Sequence, residues 1–73
     1  MTLSLEYYAQ RIIPRVRSFF PDGIVSIDSY NDSILLQVGN DGYRLLTRDE
    51  IDDNVWESKL EKRLAYIESR VRS

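Results

Sequence analysis

The apolar positions near the N-terminal end recur at steps of three and four residues. At 100° per residue they fall within an arc of about 140°, which predicts an amphipathic helix over Ser4–Phe20. Pro14 lies opposite the centre of this arc, and because the pattern continues beyond it we expect a kink there and not a stop. The apolar positions are Leu5, Tyr8, Ala9, Ile12, Ile13, Val16, Phe19 and Phe20.

Three short segments with strand-like patterns follow this helix: Ile24–Tyr30, Ser33–Val38 and Tyr43–Leu46. The sequence "FPDG" ends the helix, Asn31 and Asp32 lie between the first two segments, and "GNDG" turns the second into the third. The pattern predicts a three-stranded antiparallel meander.

Alternation along these strands divides their residues between two faces. We expect one face to be covered by the first helix and the other to be mixed in character. Leu35 and Leu46 fall on the mixed face, so they are exposed there unless the C-terminal helix or a partner covers them. The covered face comprises Val25, Ile27, Ile34, Leu36, Val38, Tyr43 and Leu45; the mixed face also carries Ser26, Asp28, Gln37 and Arg44.

A second helix begins after the strands, because Thr47 and Glu50 have the spacing of a capping box. Farther along, Trp56, Leu60, Leu64, Ile67 and Val71 form one narrow apolar stripe. The whole pattern predicts a single α+β domain over residues 1–73, in the order α-β-β-β-α.

Two interpretations fit the start of this C-terminal helix. In the first, which we favour, the helix breaks near Asp53-Asn54, with Asn54 and Glu57 as a second capping pair, so that Ile51 faces the core. In the second, the helix is continuous, and an apolar seam of Ile51, Val55 and Tyr66 meets a partner or a second copy of the chain.

Charge is unevenly distributed along the 73 residues. The net charge is −2, but residues 22–57 contain nine acidic residues and only two arginines, a balance of −7, while both ends are basic. A polyanion would be repelled by the acidic middle, so we do not expect direct, specific nucleic-acid binding.

The composition argues against catalysis. There is no histidine and no cysteine, so the commonest general bases, thiol nucleophiles and zinc ligands are missing, and we expect neither an enzyme nor a cofactor. Asp49, Glu50, Asp52 and Asp53 lack the spacing of an EF-hand loop, so a solvated first turn of a helix is favoured over a metal site. No signal peptide or membrane-spanning stretch is visible, and a cytoplasmic location is expected.

Residue type and expected exposure suggest two partner-binding surfaces. Tyr and Arg together are favoured at protein hot spots. The first surface comprises Tyr7, Arg11 and Arg15 on the first helix, and the second comprises Arg44, Asp49, Asp52 and Asp53. A plain solvated surface remains the alternative for both.

In length, element order and charge layout the chain resembles the small bacteriophage-encoded regulators of bacterial RNA polymerase. The features behind this resemblance are the α-β-β-β-α order, the acidic run "RDEIDD" and the hairpin "GNDGYRLL". The resemblance implies a protein that binds a large subunit of the host polymerase and hinders initiation or alters termination. Anti-CRISPR inhibitors are the next most similar group.

Two other functions fit the sequence. One is an acidic inhibitor that imitates nucleic acid in the groove of a nuclease complex, and the other is a homodimeric structural subunit that uses Ile51, Val55 and Tyr66.

Overall fold

The computed structural model describes residues 4–72, so both ends of the predicted domain, residues 1–3 and 73, lie outside it. The predicted α+β class and the three-stranded antiparallel meander are confirmed. The C-terminal helix is divided in two, as the favoured interpretation predicted. The elements are α1 Leu5–Phe19, β1 Ile24–Asp28, β2 Ser33–Val38, β3 Asp41–Thr47, α2 Arg48–Asp52 and α3 Trp56–Val71.

Helix α1 is amphipathic, as the spacing predicted. Ser4 is its N-cap, and the Ser4 hydroxyl accepts a hydrogen bond from the Tyr7 amide at 3.3 Å, which satisfies one of the free donors of the first turn. The helix continues through Pro14, whose side chain is exposed. The buried residues of α1 are Leu5, Ala9, Ile12 and Val16.

Strand β1 ends two residues earlier than predicted, at Asp28. The Asp28 carboxylate accepts hydrogen bonds from the amides of Tyr30 and Asn31, and it also accepts one from the Asn31 side chain at 2.7 Å. This local turn competes with the strand and redirects the chain.

Strand β3 begins two residues earlier than predicted, because the reversal before it is shorter than the sequence "GNDG". Gly39 has φ +62°, a value that suits glycine at the first position of a tight hairpin turn. Asp41 therefore already pairs with Val38.

A β-bulge in β3 changes which leucines are buried. Leu35 lies opposite Arg44 and Ile34 opposite Leu46, so Leu45 is an extra residue between these pairs. Leu45 and Leu46 are both fully buried as a result. The prediction that Leu46 lies on the mixed face was wrong, because alternation holds only where a strand has no bulge.

The core lies between the sheet and the two long helices. Helix α1 packs against β1 and β2, and α3 packs against β3 and against α1. The apolar side chains on these contact surfaces form one cluster, in which Ile34 and Leu36 of the central strand are fully buried. None of the helices within residues 4–72 is long and apolar enough to cross a membrane.

The predicted helix break is confirmed. Helix α2 ends at Asp52, Asn54 has φ +59°, and α3 starts at Trp56, so the axes of the two helices are set independently. Ile51 is only 4% exposed and belongs to the core.

Each of the two interpretations of the C-terminal helix included one detail that was wrong. The N-cap of α3 is Val55, which makes no side-chain capping bond, so Asn54 and Glu57 do not form a capping pair. The backbone amide of Asn54 instead bonds the Ile51 carbonyl in the turn that closes α2. The seam of Ile51, Val55 and Tyr66 does not form either, because Ile51 is buried while Val55 and Tyr66 are exposed.

The Glu50 carboxylate joins α2, α3 and the end of β3. It completes the predicted capping box with Thr47 and accepts two hydrogen bonds from Arg63, at 2.5 and 2.6 Å. Arg63 also donates to the carbonyl of Leu45 at the bulge, at 2.7 Å. Burial acts to raise the pKa of Glu50, but the hydrogen bonds from Arg63 and Thr47 outweigh it, so the pKa is lowered.

Replacing Glu50 with Gln should destabilise the protein at neutral pH and have little effect in acid. Because the folded-state pKa of Glu50 is lowered, its contribution is complete above the unfolded-state pKa of about 4.3 and is lost as pH falls through the folded-state value. We expect Glu50→Gln to reduce the free energy of unfolding by about 1 to 2 kcal/mol at pH 7. Urea unfolding from pH 7 down to pH 3 measures this difference.

Asp52→Asn is the matched control, since Asp52 is exposed on the same helix. A Glu50→Gln effect of the same size at pH 7 and in acid would contradict a role for the carboxylate charge.

Candidate functional site

A groove runs between α1 and the first half of α3, and it contains two of the predicted partner-binding residues. We call it the interhelical groove. Its floor is apolar, and its rims carry two arginines and two glutamates. The lining residues are Arg11, Ile12, Arg15, Trp56, Glu57, Leu60 and Glu61.

Three aromatic rings connect α1 to α3 at one end of this groove. Tyr7 and Tyr8 meet edge to face with their centroids 5.3 Å apart, and Tyr8 meets Trp56 in the same way at 5.7 Å. Such pairs stabilise contacts beyond their buried area. Tyr8 and Trp56 are half-buried, whereas Tyr7 is exposed, so the cluster extends from the core to the surface.

Arg11 and Tyr7 form a pair on the outer ridge of α1. The Arg11 guanidinium donates a hydrogen bond to the Tyr7 hydroxyl at 3.2 Å, and its central carbon lies 5.5 Å from the ring centroid. Both side chains are exposed. The pair therefore presents an oriented cation and an aromatic face next to the groove.

Arg15 is held within the molecule by Glu61 of α3. Its Nε and Nη2 donate to the two Glu61 oxygens at 2.7 and 2.5 Å, and the guanidinium lies 5.0 Å from the Phe19 ring centroid. The hydrogen bond to Arg15 lowers the pKa of Glu61, and the same bond raises the pKa of Arg15. A partner at this position meets an ion pair and not a lone cation.

The residues of the second predicted surface do not lie together in the structure. Arg44 lines a separate groove between β3 and α3, together with Tyr43, Arg63, Tyr66 and Ile67. Asp49 lines a depression beside the β1–β2 turn, with Asn31, Asp32, Thr47 and Arg48. Asp52 and Asp53 are exposed at the end of α2.

The described surface combines charged and aromatic groups. Within residues 4–72 no group of three or more carboxylates is placed to hold a metal ion, and every buried side-chain polar atom has a hydrogen-bond partner. The grooves offer guanidinium groups, carboxylates and aromatic rings, which suit contact with another macromolecule.

Sequence reasoning did not identify Trp56 and Glu61 as residues of the site. Trp56 was assigned only to the apolar stripe of the C-terminal helix, although a half-buried tryptophan is a frequent interface anchor. Glu61 gave no local signal, because its partner Arg15 lies 46 residues earlier in the chain.

No protein-family model matches the chain, and comparisons with curated proteins and with solved structures also gave no match.

Replacing Arg15 with Ala should leave the unfolding midpoint in urea almost unchanged. The Arg15 and Glu61 side chains are 51% and 47% exposed, and water screens an ion pair of this kind. The Tyr8–Trp56 contact continues to hold the two helices together. Urea titration followed by circular dichroism measures the unfolding midpoint, with Arg11→Ala as the matched control. A large decrease of the midpoint for Arg15→Ala alone would contradict the conclusion that this ion pair adds little stability.

Proposed function

We propose that this protein acts by binding a larger protein through the interhelical groove and the Tyr7–Arg11 pair beside it, and that it catalyses no reaction. The observation that carries the proposal is the arrangement of Tyr7, Arg11 and Trp56 around one groove between two helices. Tyr, Trp and Arg are the residues enriched at protein hot spots.

The groove contains separate features for affinity and for orientation. Its apolar floor, including Ile12 and Leu60, can take an apolar side chain of the partner. Arg11 and Glu57 on the rims add charges of opposite sign, which fix the orientation of the partner. Because Arg11 is already held against Tyr7, little side-chain entropy is lost when it makes a contact.

The partner that we propose is a large subunit of bacterial RNA polymerase, bound in the host cytoplasm by a phage-encoded protein. The support is the resemblance to small phage regulators in length, charge layout and element order. The helix–meander–helix arrangement retains that order, with the C-terminal helix divided. The proposed consequence is that transcription initiation is hindered or termination is altered.

The two alternative functions have less support from the surface. A nucleic-acid mimic needs carboxylates without cations among them, whereas Glu50, Glu61 and Glu68 each pair with an arginine and Asp49 shares a depression with Arg48. A homodimer through the apolar seam loses one of its three residues, because Ile51 is in the core.

A pull-down from bacterial lysate with the tagged protein tests the proposal. We expect the wild type to retain RNA polymerase subunits at low salt and Arg11→Glu to lose them, because the charge reversal removes the cation from the Tyr7 ring and from the rim of the groove. Arg17→Glu is the matched control, since Arg17 is an exposed arginine of the same helix and the net charge changes equally.

The results of the pull-down test the binding surface and the identity of the partner separately. If the wild type captures a different protein and Arg11→Glu loses it, binding through the interhelical groove is supported, and the polymerase is not the partner. Retention of polymerase by the wild type, Arg11→Glu and Arg17→Glu alike would contradict binding through the interhelical groove. Failure of the wild type to retain polymerase would contradict the proposed partner.

A further inference from the structure

The two edge strands of the sheet differ in how their free backbone groups are protected. Strand β3 has a bulge, at which Arg63 binds the Leu45 carbonyl. It also carries exposed charges at Asp41 and Arg44. Strand β1, Ile24–Asp28, has no bulge in its pairing with β2 and no proline, and its first four residues are uncharged. Because an unprotected edge readily pairs with another strand, β1 is the edge of this sheet that is open to such pairing.

Strand β1 also leaves apolar side chains incompletely covered. Val25 and Ile27 face α1 and are only half-buried, although they are paired with residues of β2 that are fully buried, Leu36 and Ile34. On the other face of β1, Ile24 is 61% exposed. A strand added beside β1 would bury more of these apolar side chains.

One flank of α1 lies above this edge. Helix α1 packs against β1 and β2, and α3 packs against β3, so the flank of α1 that is turned away from α3 lies on the β1 side. Four residues form this flank, within an arc of about 60° on the opposite side of the helix from Arg15, whose side chain pairs with Glu61 of α3. The four are Glu6, Gln10, Ile13 and Arg17, of which Ile13 is half-buried and the others are exposed.

We propose that this protein forms a symmetric dimer in which β1 pairs with β1 of a second copy in antiparallel orientation. A two-fold axis perpendicular to the sheet beside Ser26 places Val25 of one copy opposite Ile27 of the other. The two sheets then join into one sheet of six strands. The helices of both copies lie on the same face of it, and the two α1 flanks meet in antiparallel orientation.

The charges of the α1 flank favour a second copy as the occupant. Glu6 lies in the first turn of α1 and Arg17 in the last. Between antiparallel helices, Glu6 of each copy is opposite Arg17 of the other, and the two Ile13 side chains lie together near the axis. Neither Glu6 nor Arg17 has an ion-pair partner among residues 4–72. The flank is therefore complementary to itself in the orientation that the strands also require, whereas an unrelated strand would not supply these charges.

The acidic residue of β1 does not oppose this pairing. Asp28 lies opposite Ile24 of the second copy, and its carboxylate accepts hydrogen bonds from Tyr30 and Asn31 of its own turn. The two Asp28 residues are four positions apart along the paired strands, about 13 Å. This separation exceeds the Debye length of about 8 Å at physiological salt, so their repulsion is largely screened.

The dimer leaves the interhelical groove open, because that groove lies on the α3 side of α1. Dimer formation therefore does not depend on the function proposed for the groove. The paired surface comprises one short strand and one helix flank, which is less than the roughly 20 to 30 residues that each side of a standard interface supplies. We expect a weak dimer that dissociates on dilution.

Analytical ultracentrifugation at low salt, from micromolar to millimolar protein, tests the dimer. We expect the average mass of the wild type to rise from that of the monomer towards twice that value. Ser26→Lys should weaken association about tenfold or more, because it places two like charges side by side at the two-fold axis, although Ser26 is exposed in the single chain. Arg11→Glu, on the groove side of α1, is the matched control and should associate like the wild type.

Exchanging the two charges of the flank tests the helix contact. Glu6→Arg and Arg17→Glu should each weaken the dimer about tenfold or more, and the double variant should restore it, because opposite charges again face each other. Both changes oppose the helix dipole, so a rescue cannot come from a more stable helix. Circular dichroism shows which variants are folded.

Each result supports or overturns one part of the proposal. A monomer at every concentration would overturn the dimer. Undiminished association of Ser26→Lys would overturn the β1 contact, and a folded double variant as weak as the single variants would overturn the α1 contact. The polymerase pull-down is a separate test, since Arg17→Glu should lose the dimer and retain polymerase, whereas Arg11→Glu should do the reverse.

Discussion

The rest of the structure depends on the contact between the Glu50 carboxylate and Arg63. This carboxylate caps the start of α2, and its partner guanidinium also closes the bulge of β3 through the Leu45 carbonyl. Three elements that follow one another in the chain are thereby fixed to a common point. The Glu50 side chain is 15% exposed, so the contact is shielded from water and should be worth more than an ordinary surface ion pair.

The position of α3 determines what the surface can bind. The turn at Asn54 lets α3 start in a new direction, and Arg63 holds it against β3. On one flank, this placement brings Trp56 to Tyr8 and so forms the interhelical groove. On the other flank, it sets Tyr66 beside the β3 edge. The shape of both grooves therefore depends on the same α3 placement.

Local patterns in the sequence predicted much of this fold, because helix and strand periodicity, capping boxes and turn residues act over a few positions. The buried stripe of α1, the three strands and the Thr47 cap follow from such signals. The bulge was missed, since one extra residue reverses the alternation and leaves Leu46 in the core. The Arg15–Glu61 pair and the membership of Trp56 in the site were also missed, because these contacts exist only once α1 and α3 have packed together.

A double-mutant cycle between Glu50→Gln and Arg63→Met tests the central contact most directly. Each single change removes the ion pair, and the double variant shows how much of the two effects is shared. The network of Glu50, Arg63 and Leu45 predicts a coupling free energy of about 1 to 2 kcal/mol at pH 7, measured by urea unfolding. Effects that add independently, with a coupling within about 0.3 kcal/mol of zero, would contradict the account.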